Sequence, residues 1–280
     1  MHFLLSLILL IIFSDDGIAS FQSVEEVSKW MAYYHDIPKH SKNTATFNTT
    51  TLNKEIISFL SVEEVAKWVT YYYNDPEPVK IPEAFIYMSQ SGEINKDSDI
   101  PPFAGFLAGV LKNNPDKAES WIEVLSDLPV KHKRILIMGV WYSELPDAKQ
   151  KVFSIFDRDN VLKQTYKDCI LSKCFPCSIT QIPLEQGPWV LDTLWGNFMA
   201  TGSSQPVARI ITALSLFDIR LHRKLLKIAA AAKWSLISNS KQHERVLKIC
   251  IEQIDEQPVE IADELKEIIQ SVNTELSHTK

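Results

Sequence analysis

Apolar residues recur along most of the chain with the period of an α-helix, and strict strand-like alternation is nowhere sustained. The clearest unit begins at Ser61, where Val62, Val65, Trp68, Val69 and Tyr72 fall on one helical face behind a Ser61-x-x-Glu64 capping box. The same reading predicts helices near 61–74, 82–91, 102–112, 115–126, 131–144, 147–157, 187–200, 206–215, 218–236, 240–254 and 259–275. Asn114-Pro115, Gly187-Pro188, Gln205-Pro206 and Gln257-Pro258 mark helix starts, because proline at the first helical position gives up an amide that has no intrahelical partner. Short connections between such helices predict an all-α fold of stacked helical hairpins, either α-solenoid-like or a compact helical array. The irregular spacing excludes a strict tetratricopeptide array.

One segment occurs twice. Ser20-Phe21-Gln22-Ser23-Val24-Glu25-Glu26-Val27-Ser28-Lys29-Trp30-Met31-Ala32-Tyr33-Tyr34 returns 38 residues later as Ser58-Phe59-Leu60-Ser61-Val62-Glu63-Glu64-Val65-Ala66-Lys67-Trp68-Val69-Thr70-Tyr71-Tyr72. Each copy reads as a short amphipathic helix with an aromatic side, capped by Ser23 with Glu26 or by Ser61 with Glu64. After the first copy, residues 39–54 are rich in Thr, Asn, Ser and Lys, too polar to offset the entropy of ordering them, and read as a flexible linker. The expected organisation is therefore a leader at 1–19, a duplicated amphipathic helix at 20–38, the linker at 39–54 and one all-α domain at 55–280.

The leader rests on the apolar run Phe3 to Phe13, about half the length a bilayer-spanning helix needs, followed by Gly17 and Ala19 at cleavage-compatible positions. This pattern predicts a signal peptide cut after Ala19 and a periplasmic or secreted product. No Lys or Arg precedes the run, so an uncleaved anchor is the alternative, and membrane contact is expected only in that case. The 280 residues are 45% hydrophobic and 23% charged, with 29 basic against 35 acidic side chains. That composition excludes wholesale disorder, and a net charge of −6 argues against nucleic acid as the partner.

Candidate chemistry is sparse. Cys169, Cys174, Cys177 and Cys250 in an exported chain imply one or two structural disulfides, with three possible pairings. Cys174-Phe175-Pro176-Cys177 has redox spacing, so thiol-disulfide exchange by Cys174 and Cys177 is the enzymatic alternative, although no strand–helix context supports a low thiol pKa there. Zinc would require all four thiols, or three with His222 or His243; no metal and no cofactor is expected. H-E-x-x-H, G-x-S-x-G, G-x-G-x-x-G and P-loop patterns do not occur. Trp189, Trp195, Asn197, Phe198, Thr201, Ser204 and Arg209 form the candidate binding face: aromatics beside a Thr201-Gly202-Ser203-Ser204 turn that either holds an anion or merely joins two helices. Tyr71-Tyr72-Tyr73 must expose part of its ring surface in any helical phase, and Gly105-x-x-x-Gly109 permits close helix packing. Basic residues from Arg220 to Lys233 and acidic residues from Glu252 to Glu267 form opposed runs, read as a solvated, salt-bridged surface.

From Ser61 to about Gln257 the chain resembles a group of uncharacterised exported bacterial proteins. The resemblance is carried by Pro101-Pro102-Phe103-Ala104-Gly105-Phe106-Leu107-Ala108-Gly109, Asn114-Pro115 with Trp121, and Leu194-Trp195-Gly196-Asn197-Phe198 with Ala200-Thr201-Gly202. Ala231-Ala232-Lys233-Trp234-Ser235-Leu236, Asn239 and Gln242-His243-Glu244-Arg245-Val246 extend it. It implies one exported helical body and carries over no catalytic residue. The expected function is a non-enzymatic binding or scaffold protein of the bacterial envelope, with a protein or peptide as partner.

Overall fold

The computed structural model describes residues 59–164, 178–217 and 223–278, and the leader, the first copy of the repeat and the linker lie outside them. Eleven helices are used here: α1 Val62–Tyr71, α2 Ile81–Ser91, α3 Ile100–Asn113, α4 Ala118–Leu125, α5 Val130–Trp141, α6 Ala148–Asp157, α7 Trp189–Thr201, α8 Ser204–Thr212, α9 Arg223–Gln242, α10 Glu244–Glu252 and α11 Val259–His278. The expected all-α fold is present; an isolated antiparallel bridge between Ser143 and Ser178 is the one β pairing among the described residues. The Ser61 cap forms as its spacing dictates, Ser61 Oγ accepting from the Glu64 amide at 3.1 Å, while the Glu64 carboxylate accepts from the Leu60 amide, one residue before the cap, at 2.8 Å.

The array is compact rather than solenoidal. In a solenoid each unit touches only its neighbours in sequence, whereas α3 is buried from Ile100 to Leu111 and packs on α7, about ninety residues further along. Small residues allow that approach: a Cβ on Gly105 would stand 1.9 Å from the Thr193 carbonyl oxygen, and one on Gly196 would stand 1.9 Å from that of Pro102. On its other side α3 meets α5, where Leu107 packs over Gly139. The tight Gly105 and Gly109 packing that the sequence suggested is thus an intramolecular helix contact. Against this centre, α1, α2 and α4 pack at the amino-terminal end, and α8 to α11 at the other.

Boundaries differ from expectation where a buried stripe outruns local signals. A break was expected after residue 236, yet α9 continues to Gln242, because Leu236, Asn239 and Ser240 keep a face turned inward. The break comes at His243, whose extended backbone starts α10. Pro206 stands inside the first turn of α8, which Ser203 caps, and Pro115 precedes α4 by a turn. The opposed charge runs meet between α9 and α11, where Lys233 pairs with Glu264 at 2.7 Å and Glu267 at 2.8 Å.

Candidate functional site

Two aromatics of the candidate face, Trp195 and Phe198, are buried. Trp195 is 2% exposed and Phe198 fully buried, because α7 is the helix that packs on α3 and its aromatics fill the core. Trp189 is half-buried against the same core, and Asn197 donates to the Gly105 carbonyl across the α3–α7 contact. Thr201 bonds back to the Asn197 carbonyl at 2.8 Å. Arg209 is tied to Thr212 and to the Ile182 carbonyl, leaving no guanidinium aimed at a ligand beside the turn. Gly202 caps α7 in the left-handed region and Ser203, rather than the exposed Ser204, caps α8, so the turn is an ordinary helix connection. Of the seven, Trp195 and Phe198 are core, Trp189, Asn197, Thr201 and Arg209 are half-buried, and Ser204 is exposed.

Phe198 does belong to a junction that sequence reasoning missed. The end of α1, the end of α7 and the α9–α10 break converge on His243, 1% exposed. Its Nδ1 lies 3.1 Å from the Tyr73 hydroxyl, while its Nε2 is buried without a partner among the described residues. The rings of Tyr71, Tyr73 and Phe198 surround the imidazole at centroid distances of 5.1, 5.8 and 5.9 Å. Burial drives the His243 pKa down to about 4, so the ring is neutral at physiological pH. Burial likewise raises the Tyr73 hydroxyl, partly opposed by Asn74 and by Arg245. Arg245 in turn donates from Nε to the Gly202 carbonyl, and Gly202, at φ +61, lies against the Tyr73 ring. Of the three consecutive tyrosines, only Tyr71 is exposed; Tyr72 is buried and pushed up to about 12, chiefly by desolvation. The junction holds a histidine neutral and roofs it with aromatics, an arrangement that locks three elements together. His243 entered the sequence reading as a possible zinc ligand and as part of the resemblance, and no group of three or more His, Cys, Asp or Glu gathers for a metal among the described residues.

Two other chemically active groups are sealed in. Asp192 on α7 is buried, and desolvation alone raises its carboxyl well above the usual range. Cys250 is a free, fully buried thiol pushed up to about 11 by burial, with Ser240 Oγ at 3.9 Å. Cys250 has no disulfide partner among the described residues. Cys169, Cys174 and Cys177, and with them the redox alternative, lie outside the described residues.

An open groove runs along α11. One stripe of that helix, Ile261, Leu265, Ile268 and Val272, faces inward. A second stripe at helical spacing, Lys266, Ile269, Gln270, Asn273, Thr274 and Ser277, lines the groove with Ile254 as its far wall, enclosing about 510 Å³. Ile254 and Ile269 are the half-buried apolar residues of this lining, and Lys266 with amide and hydroxyl side chains makes up the rest. Ile251 at the end of α10 and Val259 and Leu276 on α11 add exposed apolar surface. The spacing of Ile269 among amides and hydroxyls was readable, but a polar outward face is ordinary for a surface helix, so it carried no signal. Compared with protein-family models, curated proteins and solved structures, the chain matches none.

Proposed function

We propose that the chain is an exported, non-enzymatic helical binding protein that receives a peptide or protein segment, with the α11 groove as its recognition surface. One observation carries this reading: a lining that sets the apolar Ile254 and Ile269 among Gln270, Asn273, Thr274 and Ser277. Peptide recognition needs that combination, since apolar anchors supply binding energy while amides and hydroxyls satisfy the backbone groups that docking takes from water. The rigid α9–α11 platform beneath, with Lys233 clamped by two glutamates, lowers the ordering cost of binding. Export rests on the Phe3–Phe13 run and Gly17/Ala19.

A random peptide library panned on the immobilised protein tests the groove. Recovered peptides are expected to carry apolar anchors, to bind in a calorimeter, and to lose roughly tenfold or more in affinity when Ile269→Asp places a charge in the lining. Peptides that bind wild type and variant equally would move recognition elsewhere. Export is tested separately: fractionation with amino-terminal sequencing should find a chain beginning at Ser20 outside the cytoplasm.

A further inference from the structure

We propose that the seat occupied by α1 accepts either copy of the duplicated helix, so that residues 21–36 exchange with residues 59–74 within one molecule. The seat is defined by what α1 buries. Phe59, Val65, Val69 and Tyr72 enter the core, and Trp68 meets Phe59, Tyr72 and Phe106 edge-on at 5.3, 5.1 and 6.2 Å. The body contributes Glu77, which accepts from Trp68 Nε1 at 3.0 Å, and Lys80, 5.9 Å over the Phe59 ring.

The first copy keeps the groups that the seat recognises. Of the 15 aligned positions, 11 are identical, including Phe21, Ser23, Glu26, Val27, Trp30 and Tyr34. Two differences are harmless outside the core: Gln22 stands for Leu60, which is 87% exposed, and Ser28 for the half-buried Ala66. The two buried differences are adjacent and opposite in size, Met31 for Val69 and Ala32 for Thr70. Thr70 Oγ1 bonds only to the Ala66 carbonyl of its own helix, so alanine there strands no polar partner in the seat. Methionine adapts its shape to irregular core space. Beyond the aligned stretch, His35 replaces Tyr73, so the first copy lacks the hydroxyl that reaches His243 and the ring that packs on Phe198. That lost junction favours α1 in the seat and makes the first copy the weaker, tethered competitor.

Tethering decides for exchange within one molecule. A tether of this length holds a linked segment at an effective concentration on the order of millimolar. The segment left looped out grows costly only as the logarithm of its length. Seating the first copy would free residues 59–73, an amphipathic helix bearing Phe59, Trp68 and Tyr72, for another surface.

Hydrogen exchange on the full chain tests the exchange without disrupting it. His35→Tyr restores the missing hydroxyl and should lower protection of residues 62–71 about fivefold, the value of one ordinary hydrogen bond, while protection of residues 24–33, the minority occupant of the seat, rises by much less. Unchanged protection in both segments would overturn the proposal. Val65→Asp, which charges a fully buried position of α1, gives the second arm. It should transfer protection to residues 24–33 while the chain stays monomeric in light scattering, and adding Val27→Asp should then lower the melting temperature further. A double variant no less stable than Val65→Asp alone, or protection of the first copy only in a dimer, would refute exchange within the molecule. Should Val65→Asp fail to fold, the His35→Tyr result decides.

Discussion

Replacing Gly105 by alanine places a methyl group where the structure has none to spare. Its Cβ would lie 1.9 Å from the Thr193 carbonyl oxygen and 2.8 Å from the carbonyl carbon, against 3.4 Å for ordinary contact. Both are backbone atoms of α7, so no rotamer change relieves the clash; α3 and α7 must part by roughly 1.5 Å, enough to forfeit half or more of the dispersion energy along their contact. Overpacking of this kind costs about 3 kcal/mol or somewhat more, while alanine returns about 1 kcal/mol of helix propensity. The expected net loss is about 2–3 kcal/mol, read in urea unfolding and as a melting temperature lower by about 4–12 °C. Gly196→Ala, aimed at the Pro102 carbonyl from the other helix, should behave alike. Gly109→Ala, whose Cβ would stand 2.6 Å from the Ala200 Cβ, should also be costly, because an alanine Cβ has no rotamer by which to move away. Stability of Gly105→Ala within about 0.5 kcal/mol of wild type would refute the close packing of α3 on α7.

Other expectations follow from the buried groups. His243 titrates near 4 when folded and near 6.5 when unfolded, so the unfolded chain binds the extra proton between those values. Its contribution is complete above pH 6.5 and lost as pH falls to 4, on the order of 3 kcal/mol, and His243→Leu should flatten that part of the stability–pH curve; parallel curves would contradict it. Asp192 has the opposite sign: its folded pKa lies above the ordinary 3.8, so its contribution is complete below that value and is lost as pH rises through the folded pKa. The stability of Asp192→Asn relative to wild type should therefore improve as pH rises from 3.8 through the folded pKa and then level off, and a constant difference would show a solvated carboxyl. Trp195→Ala should cost about 3–5 kcal/mol of stability by opening a core cavity, whereas a ligand contact at the surface would leave unfolding unchanged.

The sequence displayed its helices because amphipathic periodicity and caps are local. The Ser61–Glu64 box, the Asn114-Pro115 turn and the period-3.6 stripes each depend on residues within one or two turns. What escaped was the identity of the central helices. A helix buried on all sides, such as α3, and an outer helix with aromatics, as α7 was read, differ in what surrounds them, and only the fold brings Gly105 against Thr193 and Gly196 against Pro102. Trp195 and Phe198 therefore looked like a binding face and proved to be core. His243 joins Tyr73 across 170 residues, a contact that no local pattern encodes. The α9 boundary was misplaced for a related reason: a break was expected between residues 236 and 240, yet the helix continues there with Asn239 and Ser240 buried.

The account turns on recognition along α11, and binding measured with a peptide recovered by panning on the wild-type chain tests it most directly. Titrated calorimetrically, that peptide should bind with its strength reduced about tenfold or more in Ile269→Asp, while Ser204→Asp, on the face first suggested by the sequence, changes nothing. Equal binding by Ile269→Asp together with loss in Ser204→Asp would contradict the account and return recognition to the α7–α8 turn.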